Sequence, residues 1–182
     1  MPVGKTPKRP HLSIDELKAV SKVECRYPVL KRAFIFSCLT GLRWSDVQKL
    51  TWSEVEQSSE GWRIVFHQKK TEGLQYLDIP DNAIQYLQAP KEPELRVFKG
   101  LKYSSYMNVA LQRWMMEAGI TKNITFHCAR HTFAVLQLTL GTDIYTLSKL
   151  LGHKNLKTTQ IYADILDHKK KEASNRLNVI EL

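Results

Sequence analysis

Apolar residues recur at helical spacing along most of the chain. The longest apolar stretch is 29–39, and Gly41 follows where a helix of that length would end. Residues 104–118 repeat methionine, leucine and tryptophan at helical spacing, which predicts a helix with one side in the core. Two more helices are predicted at 127–140 and 144–151, because each apolar pattern is followed by a glycine.

Two capping signals mark further helix starts. Ser13 is followed three residues later by Glu16, and Ser45 by Gln48. In this arrangement a hydroxyl and a longer polar side chain satisfy each other's backbone N–H groups at a helix start. The second signal places Arg43 at a helix entrance. A cation there is unfavourable for the helix dipole, so a purely structural role explains Arg43 poorly.

Two short segments have the composition of strands. Residues 62–67 alternate apolar and polar side chains, and 74–79 are rich in β-forming residues. The connector 69–73 contains a glycine, so we predict an antiparallel hairpin, followed after Pro80 by a short helix at 81–87. The expected fold is mainly α with a small antiparallel β-sheet or hairpin, in the α+β class.

Length and charge narrow the class of protein. The chain has 182 residues, for which one domain is the default, and a formal net charge of +9. Excess positive charge favours a polyanionic partner. No apolar run is long enough for a membrane span and no signal-peptide pattern is present, so a cytoplasmic protein is expected. Three scattered cysteines without CxxC spacing argue against disulfides and structural zinc.

Three short strings concentrate side chains that bind phosphate well. They are Thr-Gly-Leu-Arg-Trp-Ser-Asp at 40–46, Thr-Phe-His-Cys-Ala-Arg-His-Thr at 125–132, and 151–162, which begins Leu-Gly-His and ends in Tyr162. Taken singly they are weak signals. His-x-x-Arg occurs often by chance, and a lone tyrosine such as Tyr162 is more often a half-buried core residue.

One pair of histidines invites a zinc interpretation. His127 and His131 are four residues apart and face the same side of a helix. The intervening residues lack the glutamate of a metalloprotease helix, which argues against zinc. The pair that matters more is His127 with Arg130, since both can reach one anion.

Taken together, the strings have the order and spacing of a known family. Gly-Leu-Arg-x-Ser-Asp, then Lys-Thr on the hairpin, then His-x-x-Arg-His-Thr, then Leu-Gly-His with a tyrosine nine residues on, resembles the tyrosine recombinase (phage integrase) family over residues 12–164. The resemblance implies the catalytic domain, at 11–182, with a C-terminal helical tail at 166–182. Residues 1–10 are then the remnant of a basic linker, and the family's N-terminal DNA-clamping domain is expected to be absent.

Two arginines suit the chemistry that the resemblance implies. Attack on a phosphodiester raises negative charge on its non-bridging oxygens, and Arg43 and Arg130 can donate paired hydrogen bonds to them while staying charged. His153 adds a third donor, and donors aimed at developing charge are often the largest catalytic contribution. Tyr162 is the implied nucleophile, and its ordinary pKa of about 10 means that its deprotonation needs help at neutral pH.

The remaining roles come from the resemblance. It implies His127 as the acid/base residue beside the phosphate and Lys70 as the proton donor to the departing 5′ oxygen. Composition does not separate Lys70 from Lys69, and the family's Lys-Thr pairing selects Lys70. Asp46, three residues after Arg43, is expected to orient Arg43 or His127. Exchanging one phosphodiester for another roughly conserves bond energy, so no ATP, metal or other cofactor is expected.

The implied function is site-specific DNA recombination through a 3′-phosphotyrosyl intermediate, with double-stranded DNA as partner. A tetramer on paired sites is expected, formed from monomers, in the bacterial cytoplasm at the nucleoid. Two alternatives stay open. One is a type IB topoisomerase-like nicking enzyme with the same chemistry and no partner site. The other is a non-catalytic helix-turn-helix module formed by 143–151 and 155–164.

Overall fold

The computed structural model describes residues 9–66 and 75–162. The described helices are α1 (Ile14–Lys22), α2 (Pro28–Thr40), α3 (Trp44–Lys49), α4 (Asp81–Ile84), α5 (Ser105–Glu117), α6 (His127–Leu140) and α7 (Ile144–Leu150). The strands are β1 (Val55–Ser58), β2 (Gly61–Phe66) and β3 (Gln75–Ile79), and short 3-10 turns cover Trp52–Glu54, Leu156–Thr158 and Gln160–Tyr162. The predicted class, mainly helical with a small antiparallel sheet, is confirmed.

The chain divides into two compact units. One is Pro10–Phe133, and the other combines Arg9 with the described part of Ala134–Leu182. In the part of the chain that the structure describes, no helix is long and apolar enough to cross a membrane. The tail at 166–182 and most of the linker at 1–10 lie outside the described residues.

Helix α2 is the centre of the first unit. Eight of its residues are buried, including Phe34 and Phe36, so almost every side of the helix faces protein. The Phe34 ring meets Trp114 of α5 edge-on at 5.8 Å and Phe126 at 5.7 Å. Close packing on most of its sides gives the C-terminal end of α2 a rigid support.

The sheet has the order β1-β2-β3 and is antiparallel throughout. The predicted hairpin is confirmed, since β2 pairs with β3 through Ile64 opposite Leu77. Strand β1 was not predicted. It pairs with β2, yet its sequence Val-Glu-Gln-Ser is mostly exposed and shows no alternation of apolar and polar residues. An edge strand with little burial therefore left no hydrophobic pattern to find.

The capping prediction at α1 is confirmed. The Ser13 hydroxyl accepts from the Glu16 N–H at 3.2 Å, and the Glu16 carboxylate accepts from the Ser13 N–H at 2.7 Å. Lys122 Nζ lies 2.6 Å from the same carboxylate. Burial raises the pKa of Glu16, but the hydrogen bonds and the Lys122 charge together lower it by more, so the net shift of the pKa is downward.

The second unit contains a short helix and two turns. Asp143 caps α7, and its carboxylate accepts from the N–H groups of Tyr145 and Thr146, both at 2.9 Å. The chain then turns at Gly152, which has a φ of +60°. The following described residues form 3-10 turns rather than a helix. The second helix of the proposed helix-turn-helix is therefore not present up to Tyr162.

Candidate active site

The segment after α2 is fixed by a glycine and a serine. Gly41 ends the helix with a φ of +73°, and a Cβ built on it would lie 2.6 Å from Cδ1 of Phe133. Its N–H donates to the Ser37 carbonyl at 2.9 Å, and the Ser37 hydroxyl donates to the Leu42 carbonyl at 2.7 Å. Only glycine fits both this backbone conformation and this close approach, so the position of residues 41–43 is tightly set.

Arg130 is tied directly to that segment. It lies on α6 with only 7% of its surface exposed, and its Nη1 donates to the Gly41 carbonyl at 2.7 Å. A guanidinium is planar, so this bond helps to fix the orientation of the whole group. Two of the sequence strings, 89 residues apart along the chain, therefore meet through a hydrogen bond that the sequence analysis did not predict.

Arg43 lies two residues after Gly41, at the entrance of α3. It is the N-cap residue and its side chain is exposed. The predicted position at a helix entrance is confirmed, but the predicted capping pair, Ser45 with Gln48, is wrong. Asp46 supplies the carboxylate instead, because helix α3 begins at Trp44, one residue before Ser45.

Asp46 acts on the backbone of Arg43. Its carboxylate accepts from the Arg43 N–H at 3.3 Å and from the Ser45 hydroxyl at 3.2 Å. An acidic side chain in the first turn of a helix also complements the helix dipole. The contact holds the backbone from which the Arg43 side chain projects.

Trp44 and Thr132 support the site and were missed by the sequence analysis. The Trp44 ring meets Phe126, one residue before α6, edge-on at 4.6 Å. The Thr132 hydroxyl accepts from the Leu12 N–H and donates to the Cys128 carbonyl, both at 2.9 Å. Both residues stand inside the quoted strings, and that position was the available signal.

His127 is the first residue of α6 and is exposed. Its ring meets the ring of His131 edge-on at 4.6 Å, while His131 is only 6% exposed. Among the described residues, no group of three His, Cys, Asp or Glu side chains is arranged to hold a metal ion. His127 and Arg130 thus lie one turn apart on one helix, with the histidine exposed and the arginine buried.

Thr159 connects the two remaining candidates in the second unit. Its hydroxyl lies 2.9 Å from Nδ1 of His153, and its carbonyl accepts from the Tyr162 N–H at 3.1 Å. Thr159 is fully buried and Tyr162 is 6% exposed. The hydroxyl therefore helps to fix the orientation of the imidazole ring. Lys70 and Lys69 lie outside the described residues.

Comparison with known proteins agrees with these strings. The model of the phage integrase family matches residues 11–169. The chain belongs to the phage integrase family. Tyrosine recombinase XerC of Rickettsia canadensis is 33% identical over 157 residues, which are 82% of this chain and 50% of that protein. This integrase-family chain spans about half the length of such curated relatives.

Two solved structures share the fold of this integrase-family chain. The catalytic domain of bacteriophage HP1 integrase has a TM-score of 0.63 at 26% identity, covering 85% of this chain and 87% of that one. XerH site-specific recombinase, in a post-cleavage complex with palindromic difH substrate, has a TM-score of 0.68 at 20% identity. That match covers 90% of this chain and 52% of XerH. The recombinase catalytic-domain fold predicted from the strings is confirmed.

Proposed function

We propose that this integrase-family chain cleaves and rejoins DNA in site-specific recombination, with Tyr162 as nucleophile. The Tyr162 oxygen attacks a backbone phosphorus and forms a 3′-phosphotyrosyl bond, while the bond to the 5′ oxygen breaks. The freed 5′-hydroxyl, or one from a partner strand, then attacks the phosphotyrosine and releases the enzyme. One phosphodiester is exchanged for another at each step, so the reaction needs no external energy source.

The observation that carries the proposal is the bond between Arg130 and the Gly41 carbonyl. It anchors one guanidinium of the family's strings to the segment from which the other, Arg43, projects. Two guanidiniums held by a shared rigid segment suit two non-bridging oxygens of one phosphate. As negative charge grows on those oxygens in the transition state, fixed donors stabilise it without reorganising.

The other roles are assigned by family. His153, oriented by Thr159, donates to the phosphate, and His127 acts as the acid/base residue beside it. Lys70 protonates the departing 5′ oxygen. Asp46 holds the backbone of Arg43.

The partner proposed for this chain is double-stranded DNA. The net charge of +9 supports a polyanionic ligand, and the related XerH structure contains its DNA substrate. We further propose a tetramer on paired sites, formed from monomers, acting in the bacterial cytoplasm at the nucleoid.

The test is capture of a covalent protein–DNA adduct. The substrate is a pool of duplexes with a randomised central region and a nick, so that the short fragment carrying the freed 5′-hydroxyl can diffuse away. Incubation at low salt in EDTA, followed by a denaturing gel, should give an adduct, and mass spectrometry should place the DNA on Tyr162. Sequencing the captured DNA identifies the preferred site.

Tyr162→Phe should form no adduct, while Tyr145→Phe, which changes a tyrosine on the exposed side of α7, should form it normally. An adduct on another residue would overturn the assignment of Tyr162. The absence of any adduct from the wild-type chain on every duplex of the pool would overturn the proposed function. Strand exchange between two captured sites, assayed as Holliday junctions, distinguishes a recombinase from a topoisomerase-like enzyme.

A further inference from the structure

A second concentration of positive charge lies in the first unit, apart from Arg43 and Arg130 of that unit. A cavity of about 260 Å³ opens between α2, the 3-10 turn Trp52–Glu54 and the loop that follows α4. Its wall contains four cations and no acidic side chain. They are Arg32, Lys91, Arg96 and Lys99.

The Arg32 guanidinium is the innermost of these cations. Its Nη1 donates to the carbonyls of Tyr86 and Leu87 at 3.0 and 3.4 Å, and its Cζ lies 5.5 Å from the centre of the Phe98 ring. Burial lowers the pKa of Arg32, because a partly desolvated guanidinium is less stable in its charged form. A partly buried cation with only neutral partners is costly to desolvate, and an anion would offset that cost.

The other three cations surround the cavity at the surface. Lys91, Arg96 and Lys99 are exposed, and within the described ranges none of the four cations forms an ion pair. Glu92 and Glu94 belong to the same loop but do not line the cavity. The cavity therefore concentrates positive charge that the protein itself leaves unneutralised, and focused charge of this kind attracts small anions.

A tryptophan also lines the cavity. Trp52 is 7% exposed, so its indole ring is part of the cavity wall and its environment changes when a ligand enters the cavity. The cavity also includes Gln88, whose φ of +70° is rarely adopted by residues other than glycine.

From these features we propose that the cavity binds a phosphate oxyanion, at a site separate from Arg43 and Arg130. Phosphate suits the wall because guanidinium and ammonium groups give it charge-assisted hydrogen bonds. The site belongs to one end of α2 and the catalytic arginines to the other. Arg32 and Gly41 are nine positions apart along the chain, which is about 14 Å at the helical rise of 1.5 Å per residue. The phosphate can come from a DNA backbone or from a free phosphate-bearing molecule.

The test uses the indole N–H resonances of the full chain in ¹⁵N NMR. The chain has four tryptophans, so these resonances are few and easily followed. Inorganic pyrophosphate at low salt should shift the Trp52 indole resonance saturably. The Trp114 indole already donates to the Val23 carbonyl at 3.0 Å, so its resonance should stay in place and serves as an internal control.

A pair of matched double variants tests the cations. Lys91→Gln with Lys99→Gln removes two charges from the cavity, and should weaken pyrophosphate binding at least tenfold. Lys18→Gln with Lys22→Gln removes two exposed charges from α1, and should change it less than twofold. All four side chains are exposed, so both proteins are expected to fold.

A 20-bp duplex of arbitrary sequence, added to the Tyr162→Phe chain, identifies the source of the phosphate. If the duplex shifts the Trp52 resonance and the cavity double variant abolishes the shift, the ligand is a DNA phosphate. If only pyrophosphate shifts the Trp52 resonance, the ligand is a free phosphate-bearing molecule. A silent Trp52 with both probes, or equal weakening in the two double variants, overturns the proposal. No readout depends on strand cleavage, so the result is independent of the proposed function.

Discussion

Replacing Gly41 by alanine tests the packing on which the arginine arrangement depends. Gly41 has a φ of +73°, and a Cβ at this position meets the Phe133 ring at 2.6 Å. Left-handed backbone costs an alanine about 1–2 kcal/mol, and overpacking a core by one methyl group costs about 1–3 kcal/mol. We therefore expect Gly41→Ala to lower the free energy of unfolding by about 2–5 kcal/mol.

Gly119 provides a matched control for this substitution. Its φ is +78°, close to that of Gly41, but no atom lies within 4 Å of a Cβ built there. Gly119→Ala should therefore lower the free energy of unfolding only by the backbone contribution of about 1–2 kcal/mol. Urea unfolding followed by tryptophan fluorescence gives both values, and their difference isolates the contact with Phe133. Equal losses in the two variants would refute the packing argument.

The same substitution has a catalytic consequence. The added methyl group must displace either the Phe133 ring or the Gly41 backbone, whose carbonyl holds Arg130. Misplacing a catalytic group by about 1 Å can slow a reaction about a hundredfold. In conditions where both variants are folded, adduct formation should fall about a hundredfold in Gly41→Ala and stay near wild type in Gly119→Ala. Normal adduct formation by Gly41→Ala would show that the carbonyl does not position Arg130.

Three further predictions concern single groups. Lys70→Ala should regain adduct formation on DNA with sulfur at the 5′-bridging position, because a thiolate leaves without a proton. Arg43→Ala should not regain it. If the sulfur substrate rescues neither variant, the general acid is another residue. Thr159→Val should slow adduct formation about tenfold, because it releases the ring of His153. The control is Thr158→Val, which changes the adjacent exposed threonine and should leave adduct formation near wild type. Hydrogen bonds from the Thr146 side chain and backbone hold the pKa of Asp143 below its usual value of 3.8. The ionised carboxylate therefore stabilises the folded chain above that pH, and this stabilisation is lost below it. The difference in unfolding free energy between wild type and Asp143→Asn should shrink as the pH falls below about 4. A difference that stays constant with pH would contradict this.

The sequence predicted the elements whose residues are strongly patterned. Helix α5 places a continuous side in the core, including the buried Trp114, and the hairpin strands pair as expected. The edge strand β1 was missed because three of its four residues are exposed. The start of α3 was misplaced because Ser45 and Asp46 are both good capping residues, and only the three-dimensional arrangement shows which one reaches the free N–H.

The candidate site was predictable in residue type but not in contacts. The strings named Arg43, Arg130, His127, His153 and Tyr162 because those side chains suit a phosphate and stand at the spacing of a known family. Two of the contacts that hold these side chains are the hydrogen bond from Arg130 to the Gly41 carbonyl and the contact of His153 with the Thr159 hydroxyl. Every residue carries a backbone carbonyl, so residue type gives no signal that this one accepts from a guanidinium 89 residues away.

The Gly41–Arg43 string assigns a different physical task to each residue. Gly41 allows the left-handed turn and presents its carbonyl to Arg130, a buried cation that needs an acceptor. Leu42 is buried at 6% exposure and fixes the segment in the core, while Arg43 emerges exposed at the start of α3. If the string were shifted by one residue along this turn, Arg43 would take the buried position and Leu42 an exposed one. The spacing of the string therefore follows from placing one arginine inside the protein and the other at its surface, on the same rigid turn.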